Sequence, residues 1–409
     1  MIDAWSWRQY AVYRVMFGAY LFVHFVHLLP WGAELFSRAG MLPDASASPL
    51  IGVFPNLLAY VDSPAIVVAL LTSGVAGAVA LMLGRFDRLA AVWMWFLLAC
   101  LFGRNPLIAN PSLPVVGWLL LFHALLPRPR EHWEPAAAGT SGRLPQSYFV
   151  MAWFLLAVAY SYSGWTKLFS EAWVQGETVR WVLLNPLARD HWLRELLLAT
   201  PPILLQAVTI GVLVLELLFA PLALIRRARP WIWAGMLFVQ FGFLFLLNFA
   251  DLTFPMLLLP LLTFDPRWLP SRARAAGTTI YYDGECGLCH TWVRFVLAED
   301  VKARFRYAAM QSPAAKKAIP DIAGGDDYST FVVLTADGAR LQKFAGVRHL
   351  LLSLGGLWRV IGLAARLIPV ALGDMAYDLV ARNRRRLFAR PDKLCPLLPP
   401  DLSSRFARC

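Results

Sequence analysis

The sequence predicts a polytopic α-helical membrane bundle of about eight spans, followed by a small C-terminal α/β domain. Of its 409 residues, 58% are hydrophobic and only 16% are charged, whereas soluble globular chains carry about 25% charged residues. Uncharged stretches long enough to cross a bilayer recur up to about residue 265 and then stop. Five cysteines are too few to stabilise a chain of this length as a disulfide-rich secreted module. The predicted domains are therefore a membrane domain at 1–270, a linker at 271–277 and a C-terminal domain at 278–409.

The membrane domain is predicted from stretches of about 20 residues, the length of helix that spans the hydrocarbon core. The segment at 252–264 contains Pro255 and Pro260, so we expect it to be broken or re-entrant. Seven spans are the alternative to eight. The start does not resemble a cleavable signal peptide, because Arg14 lies within the first stretch. The predicted spans are 9–29, 65–84, 89–103, 107–127, 147–166, 203–225, 231–249 and 252–264.

The orientation of the bundle is predicted from the basic residues of the loops, which favour the cytoplasmic side. With eight spans and a cytoplasmic N-terminus, twice as many basic residues lie inside as outside. The protein is then predicted to span a bacterial-type inner membrane, with its C-terminal domain in the cytoplasm. The inside residues are Arg8, Arg85, Arg88, Arg128, Arg130, Arg143, Arg226, Arg227, Arg229, Arg267, Arg272 and Arg274, and the outside ones are Arg38, Arg104, Lys167, Arg180, Arg189 and Arg194.

The C-terminal domain begins with a predicted strand at 278–283, and a Cys-x-x-Cys motif then opens a helix that continues to about Leu297. Trp292, Val293 and Val296 lie on one face of that helix. Strand, Cys-x-x-Cys and helix in this order are typical of thioredoxin-like redox proteins. The further predicted elements are a strand at 304–308, a hairpin of 328–335 and 339–344, and helices at 346–354, 357–367 and 374–387.

The two cysteines of the motif are the main candidate catalytic residues. Cys286 is predicted at the N-terminus of the helix, where unpaired N–H groups and the helix dipole stabilise a thiolate. Cys289 lies one turn further on, within reach to resolve a mixed disulfide. Two alternatives remain open. One is a zinc site completed by His290, Cys395 and Cys409, and the other is a c-type haem attachment at Cys286–His290.

At these residues the C-terminal domain resembles the DCC family of thiol-disulfide oxidoreductase-like proteins. The resemblance implies that Asp283, Cys286 and Cys289 are the signature positions, with Cys286 as nucleophile and Cys289 as resolving cysteine. One difference from ordinary thioredoxins is that no proline precedes the Phe331 strand. The matching segments are Tyr282-Asp283-Gly284-Glu285-Cys286-Gly287-Leu288-Cys289, Phe344-Ala345-Gly346 and Tyr377-Asp378-Leu379-Val380-Ala381-Arg382-Asn383-Arg384.

The membrane domain carries a second motif, Gly164-Trp165-Thr166-Lys167-Leu168 followed by Trp173 and Gly176. It resembles the HTTM family, the membrane domain of vitamin K-dependent γ-carboxylases, and the resemblance implies that Lys167 is a base and that a quinone-like ligand binds in the bundle. Those enzymes have a histidine where this chain has Pro111, and a large extracytoplasmic domain, so γ-carboxylation itself is not expected. The alternative is that Lys167 is an interfacial lysine extending to the headgroups.

Other charged residues of the membrane domain have structural and functional interpretations. Glu216 lies within a span and therefore needs a partner, for which Arg14 is predicted. His24 and His27 share a helix face near a span end, but no metal site is expected. Cys100 is the only cysteine in the spans, so we do not expect a disulfide relay across the bilayer within this chain. The basic residues Arg382, Arg384, Arg385, Arg386 and Arg390 are predicted to face anionic lipid rather than nucleic acid.

Three hypotheses for function follow. The first is a membrane protein with a cytoplasmic thiol-disulfide oxidoreductase-like domain that acts on a thiol or disulfide protein or on a small thiol. The second is a non-enzymatic membrane scaffold or carrier. The third is a quinone-linked acid–base enzyme that uses Lys167. The net charge of +12 is explained by cytoplasmic loops and a domain that faces the membrane, and no nucleic-acid partner is expected.

Overall fold

The structure is a computed structural model that describes residues 5–108, 110–126, 143–269, 277–300, 302–323, 330–387 and 404–407, with side chains up to Arg384 in the last helix. The described chain is mostly helical and divides into two compact units. The apolar unit contains residues 10–127 and 145–264, and the C-terminal unit contains residues 1–9, 128–144 and 265–409. The predicted linker lies outside the described residues except for Gly277. The predicted boundary at residue 270 therefore stays a prediction.

The apolar unit consists of α-helices and the segments that join them, of which residues 37–63 contain only short 3-10 turns. Their high content of Leu, Val, Ala and Phe supplies apolar side chains on all faces. The helices are α1 (Trp7–Leu28, which begins in the C-terminal unit), α2 (Gly32–Phe36), α3 (Pro64–Leu83), α4 (Asp87–Arg104), α5 (Leu113–Leu125), α6 (Gln146–Lys167), α7 (Glu171–Val174), α8 (Thr178–Leu184), α9 (Trp192–Leu198), α10 (Pro202–Leu217), α11 (Phe219–Leu224), α12 (Arg229–Leu246) and α13 (Ala250–Thr263).

Four of the described helical segments are long and apolar enough to cross a membrane, and counting two bent helix pairs gives up to six. Eight spans are therefore not confirmed. The predicted spans 107–127 and 252–264 contain the short helices α5, of 13 residues, and α13, of 14 residues. At about 1.5 Å per residue these helices are roughly 20 Å long, less than the ~30 Å hydrocarbon core. The four segments are Trp7–Phe36, Pro64–Leu83, Gln146–Lys167 and Arg229–Leu246.

The helix α13 runs without a break through Pro255 and Pro260, in contrast to the predicted broken segment. Proline at position 255 cannot donate a backbone hydrogen bond to the carbonyl of Asp251, four residues earlier. The hydroxyl of Ser112 lies 3.1 Å from that carbonyl and 2.5 Å from Oδ1 of Asn110, so its single proton can be donated to either acceptor. A hydrogen-bond donor from outside the helix thus lies within reach of the carbonyl that Pro255 leaves unpaired.

The C-terminal unit contains a four-stranded mixed sheet, which confirms the strands predicted from the sequence. Strand β1 pairs in parallel with β2 and antiparallel with β3, and β3 pairs antiparallel with β4, so that the order is β2-β1-β3-β4. The helices α15 and α16 were not predicted. The elements are β1 (Thr278–Tyr282), α14 (Gly287–Glu299), β2 (Phe305–Ala309), α15 (Pro313–Ala318), α16 (Pro320–Ala323), β3 (Val332–Leu334), β4 (Arg340–Gln342), α17 (Lys343–Leu354), α18 (Gly356–Ala364) and α19 (Val370–Leu387).

Helices cover both faces of this sheet. Successive side chains of β1 point to opposite faces, and on each face they belong to a separate apolar cluster. Ile280 and Tyr282 are buried against Val293 and Val296 of α14, as the predicted apolar face of that helix requires. Tyr281 points the other way and is buried with Ala315 of α15. The strand β1 is thus buried on both sides, and its carboxyl end is held in place where the Cys-x-x-Cys motif begins.

Residues at the start of the chain also belong to the C-terminal unit. The hydroxyl of Ser6 donates to Glu299 at 3.1 Å, and Arg8 donates to the backbone carbonyls of Arg294 and Phe295 at 3.1 and 3.0 Å. The Arg8 guanidinium also lies 5.7 Å from the centre of the Phe295 ring. The first turn of α1 is therefore attached to the helix that begins with the Cys-x-x-Cys motif.

Candidate functional site

Asp283 follows directly after β1 and organises the turn that leads into the motif. The side chain is buried, and its carboxylate accepts hydrogen bonds from the backbone N–H of Glu285 at 3.0 Å and from the side-chain amide of Gln311 at 2.9 Å. The oxygen of the same amide accepts from the backbone N–H of Gly284 at 3.0 Å. Asp283 and Gln311 together hold the turn in one conformation.

Gln311 was not identified from the sequence. It follows β2, the parallel neighbour of β1, and Tyr282 and Ala309 are paired at the carboxyl ends of the two strands. Residues that follow neighbouring parallel strands meet at one edge of a sheet. That position relative to β2 is the signal that could have identified Gln311, but only once the pairing of the strands was known.

Cys286 is the N-cap residue of α14, as predicted. Its sulfur accepts a hydrogen bond from the backbone N–H of Cys289 at 3.4 Å. One turn of helix brings Cys289 next to it, and both are free thiols in the structure. His290 donates from Nε2 to the carbonyl of Gly284 at 2.9 Å. This hydrogen bond connects the first turn of α14 to the turn that precedes it.

The two thiols have opposite pKa shifts. The pKa of Cys286 is lowered from 9.0 to about 6, mainly because Cys289 donates a hydrogen bond to its sulfur, helped by the backbone N–H of Cys289 and the positive charge of Arg384. Burial opposes this shift. The pKa of Cys289 is raised, because its proton is held in the hydrogen bond to Cys286 and because the side chain is buried. These shifts favour the thiolate form at Cys286 and the protonated thiol at Cys289.

The helix α19 contributes two residues to the site. The guanidinium of Arg384 lies 3.5 Å from the carboxylate of Asp283, and both side chains are less than 10% exposed. The hydroxyl of Tyr377 accepts from the backbone N–H of Phe331 at 3.4 Å, just before β3. Arg384 was predicted to face lipid. This is wrong, because the side chain is buried at the site and supplies a positive charge there.

The remaining predictions for the basic residues and for zinc concern other parts of the chain. Arg382 is exposed, whereas the side chains of Arg385 and Arg386, together with Arg390, Cys395 and Cys409, lie outside the described residues. Within the part of the chain that the structure describes, no three His, Cys, Asp or Glu residues are grouped as a metal site requires.

Lys167 lies in the apolar unit, in a second cluster of polar residues. Its ammonium group donates to the carboxylate of Glu216 and to the hydroxyl of Ser163, the latter at 2.9 Å, and it lies 4.6 Å from the centre of the Trp173 ring. The side chain is 20% exposed and that of Glu216 only 7%. Lys167 is therefore ion-paired and does not extend away from the protein as an interfacial lysine does.

The predicted pairing of Glu216 with Arg14 is wrong. Arg14 instead lies 3.9 Å from Asp87 and donates to the carbonyl of Leu81 at 3.0 Å. The reason lies in how α6 packs on α10. A Cβ atom at Gly164 would lie only 2.7 Å from the backbone nitrogen of Leu217, so glycine permits a close approach that places Lys167 next to Glu216.

The geometry of Cys286, Cys289 and Asp283 defines a dithiol site at the start of a helix in a β-α-β unit, the arrangement of thiol-disulfide oxidoreductases. Residues 280–390 match the family of DCC1-like thiol-disulfide oxidoreductases. The C-terminal unit thus carries a DCC1-like domain. The resemblance of the apolar unit to the HTTM family stays a prediction.

Two relatives are similar to part of the chain. The uncharacterized protein YuxK of Bacillus subtilis (strain 168) is 26% identical over 127 residues, which is 31% of this chain and 91% of YuxK. The chloroplastic DCC family protein At1g52590 of Arabidopsis thaliana is 29% identical over 111 residues, which is 27% of this chain and 64% of that protein. No solved structure matches.

Proposed function

We propose that this protein is a membrane-anchored thiol-disulfide oxidoreductase in which Cys286 is the nucleophile and Cys289 the resolving cysteine. The observation that carries the proposal is the asymmetry of the pair: one thiol has a lowered pKa at a helix N-terminus, and its neighbour one turn away keeps its proton. A thiolate is the reactive form of cysteine, so Cys286 is ready to attack at neutral pH while Cys289 is not.

The reaction proceeds in two exchanges. The Cys286 thiolate attacks one sulfur of a substrate disulfide, forms a mixed disulfide and releases the other substrate sulfur as a thiolate, which takes up a proton. Cys289 then loses its proton and attacks the sulfur of Cys286, which releases the second substrate thiol and leaves a Cys286–Cys289 disulfide. The substrate gains two electrons and the dithiol loses them. A cytoplasmic dithiol or small thiol reduces the pair again, and the reverse sequence oxidises a substrate dithiol.

Asp283 and Arg384 act as positioning residues in this proposal. Asp283 holds the turn through Glu285 and Gln311, and Arg384 neutralises the carboxylate that would otherwise repel a thiolate. The negative charge of Asp283 raises the pKa of both cysteines, whereas the positive charge of Arg384 lowers it. The pair of charges keeps the electrostatic balance near Cys286 in favour of the thiolate.

The first experiment equilibrates the purified full chain in buffers of defined dithiothreitol redox ratio, traps the thiols by alkylation and measures the Cys286–Cys289 disulfide by mass spectrometry. We expect a two-electron transition that Cys286→Ser abolishes and that the matched control Cys100→Ser leaves unchanged. Cys289→Ser should accumulate the mixed disulfide with a glutathione disulfide probe. A pair that never forms a disulfide at any ratio, or equal labelling of Cys286→Ser and the unchanged chain, contradicts the proposal.

The location of the domain is proposed to be cytoplasmic. The contacts of Ser6 and Arg8 with α14 support a shared side for the first turn of α1 and the thiol site, and the basic residues of the loops favour the cytoplasm for that side. In a cysteine-free background, Lys317→Cys on α15 should be labelled by an impermeant maleimide only after the cells are opened. The matched variant Arg38→Cys, on the predicted outer side, should be labelled in intact cells. The reverse pattern contradicts this location.

A further inference from the structure

The apolar unit contains a cavity of about 460 Å³ that the thiol chemistry does not use. Its volume lies within the roughly 300–1,000 Å³ of small-molecule sites. Most of the lining is apolar, with Phe36, Leu101, Phe102 and Phe254 among the contributing residues. Such a lining suits a hydrocarbon body.

One wall of this cavity carries an ordered polar cluster. Nδ1 of His24 lies 2.7 Å from Oδ1 of Asp251, which also accepts from the hydroxyl of Tyr20 at 3.0 Å. The second carboxylate oxygen accepts from the side-chain amide of Asn110 at 2.8 Å. His24, Tyr20 and Asp251 all line the cavity. Three donors, two from α1 and one from the segment before α5, thus hold the Asp251 carboxylate, and the carboxylate orients the imidazole.

The contact with Asp251 determines which ring nitrogen of His24 is available to a ligand. An ionised carboxylate only accepts hydrogen bonds, so Nδ1 carries the proton and Nε2 is the nitrogen that remains for another partner. Among the described residues, none makes a hydrogen bond to Nε2 of His24. The side chain of His24 is only 9% exposed, so a nitrogen with unused hydrogen-bonding capacity is largely withdrawn from solvent at the cavity wall.

We propose that this cavity binds an amphipathic molecule with an apolar body and one hydroxyl head group, whose hydroxyl pairs with Nε2 of His24. A hydroxyl fits because it donates to neutral imidazole and accepts from the protonated ring, so the contact is available in either state of His24. A hydrocarbon without a head group would fill the cavity but would leave Nε2 of His24 without a hydrogen-bond partner. The Asp251–His24 pair is then a positioning pair for the ligand, independent of the cysteines.

The test uses the full chain in phosphatidylcholine nanodiscs, because that lipid has no hydroxyl group to compete. Two photoreactive probes are compared, a diazirine analogue of hexadecanol and the diazirine alkane of the same length. Labelling of peptides that contain Phe102 or Phe254 is measured by mass spectrometry and normalised to α12, where Phe238 is 81% exposed. We expect the alcohol to reach half-maximal labelling at about tenfold lower concentration than the alkane, as one added hydrogen bond predicts.

His24→Phe should abolish this difference, because it keeps an aromatic ring but removes both nitrogens. His191→Phe is the control that should keep the difference, since His191 belongs to the same unit but is not among the described residues that line the cavity. Equal labelling by both probes in the unchanged chain would overturn the proposal and indicate an apolar crevice that admits lipid chains. A preference for the alcohol that persists in His24→Phe would overturn the role of Nε2. The probe comparison needs no variant, so it decides the proposal even if His24→Phe does not fold.

Discussion

The hydrogen bond that Cys289 donates to Cys286 is the main cause of the low pKa of Cys286, and its removal is a direct test of the proposed role of Cys286. The background replaces the other three cysteines, Cys100, Cys395 and Cys409, with serine. Cys289→Ala then removes the donor, whereas Cys289→Ser is the matched control that keeps a hydroxyl able to donate. Both variants keep the backbone N–H of residue 289, which donates to the sulfur of Cys286 at 3.4 Å in the structure.

The size of the effect follows from the strength of a hydrogen bond to a charged group, about 1.5–3 kcal/mol. One pKa unit corresponds to about 1.36 kcal/mol, so Cys289→Ala should raise the pKa of Cys286 by about one to two units. The thiol would then titrate at roughly 7–8 instead of about 6. Cys289→Ser should keep it near the lower value.

The assay follows the rate of alkylation by iodoacetamide, and the ultraviolet absorbance of the thiolate, as functions of pH. The thiolate is the reacting species, so the rate rises as the pH passes upward through the pKa of Cys286 and then levels off. At pH 6.5 the thiolate fraction of the alanine variant, and with it the alkylation rate, should be roughly three- to 25-fold lower than that of the serine variant. If both variants titrate near pH 6, the helix N-terminus and Arg384 lower the pKa without Cys289. If the unchanged chain titrates near pH 9, the assignment of Cys286 as the thiolate fails.

Three further predictions concern charges and packing at the two polar clusters. Arg384→Met should raise the pKa of Cys286 by up to about one unit and slow its alkylation at neutral pH, whereas the exposed Arg382→Met should leave both unchanged. Lys167→Met and Glu216→Gln should each destabilise the apolar unit by about 3–5 kcal/mol, and the double variant should recover much of the loss in a thermal denaturation assay. Equal stability of the single variants and the unchanged chain would contradict a structural ion pair. Gly164→Ala should lower the Tm by an amount that corresponds to about 1–3 kcal/mol, because the added Cβ has no room beside the backbone of α10, and an unchanged Tm would contradict this packing.

The sequence by itself determined the features that depend on local pattern. Hydropathy over about 20 residues separates the apolar helices from the C-terminal domain, and the change of period after residue 277 predicts β1 and α14 close to their observed bounds. The position of Cys286 at a helix N-terminus follows from the same local pattern, because capping involves only neighbours in the chain. The sequence therefore already indicated Cys286 as the proposed nucleophile.

Only the tertiary structure decided which distant residues meet. Arg14 and Glu216 carry opposite charges, but they do not pair. The packing of α6 against α10 at Gly164 brings Lys167 next to Glu216, and these two residues form the ion pair. Arg384 lies in a run of basic residues, which is typical of a surface that faces anionic lipid. In the structure, however, its side chain is buried beside Asp283. The cluster of His24 and Asp251 joins residues 227 positions apart. The reason is physical: local propensity acts over one or two turns, whereas a charge or polar atom takes as partner whichever group the packing of helices and strands brings within about 3 Å.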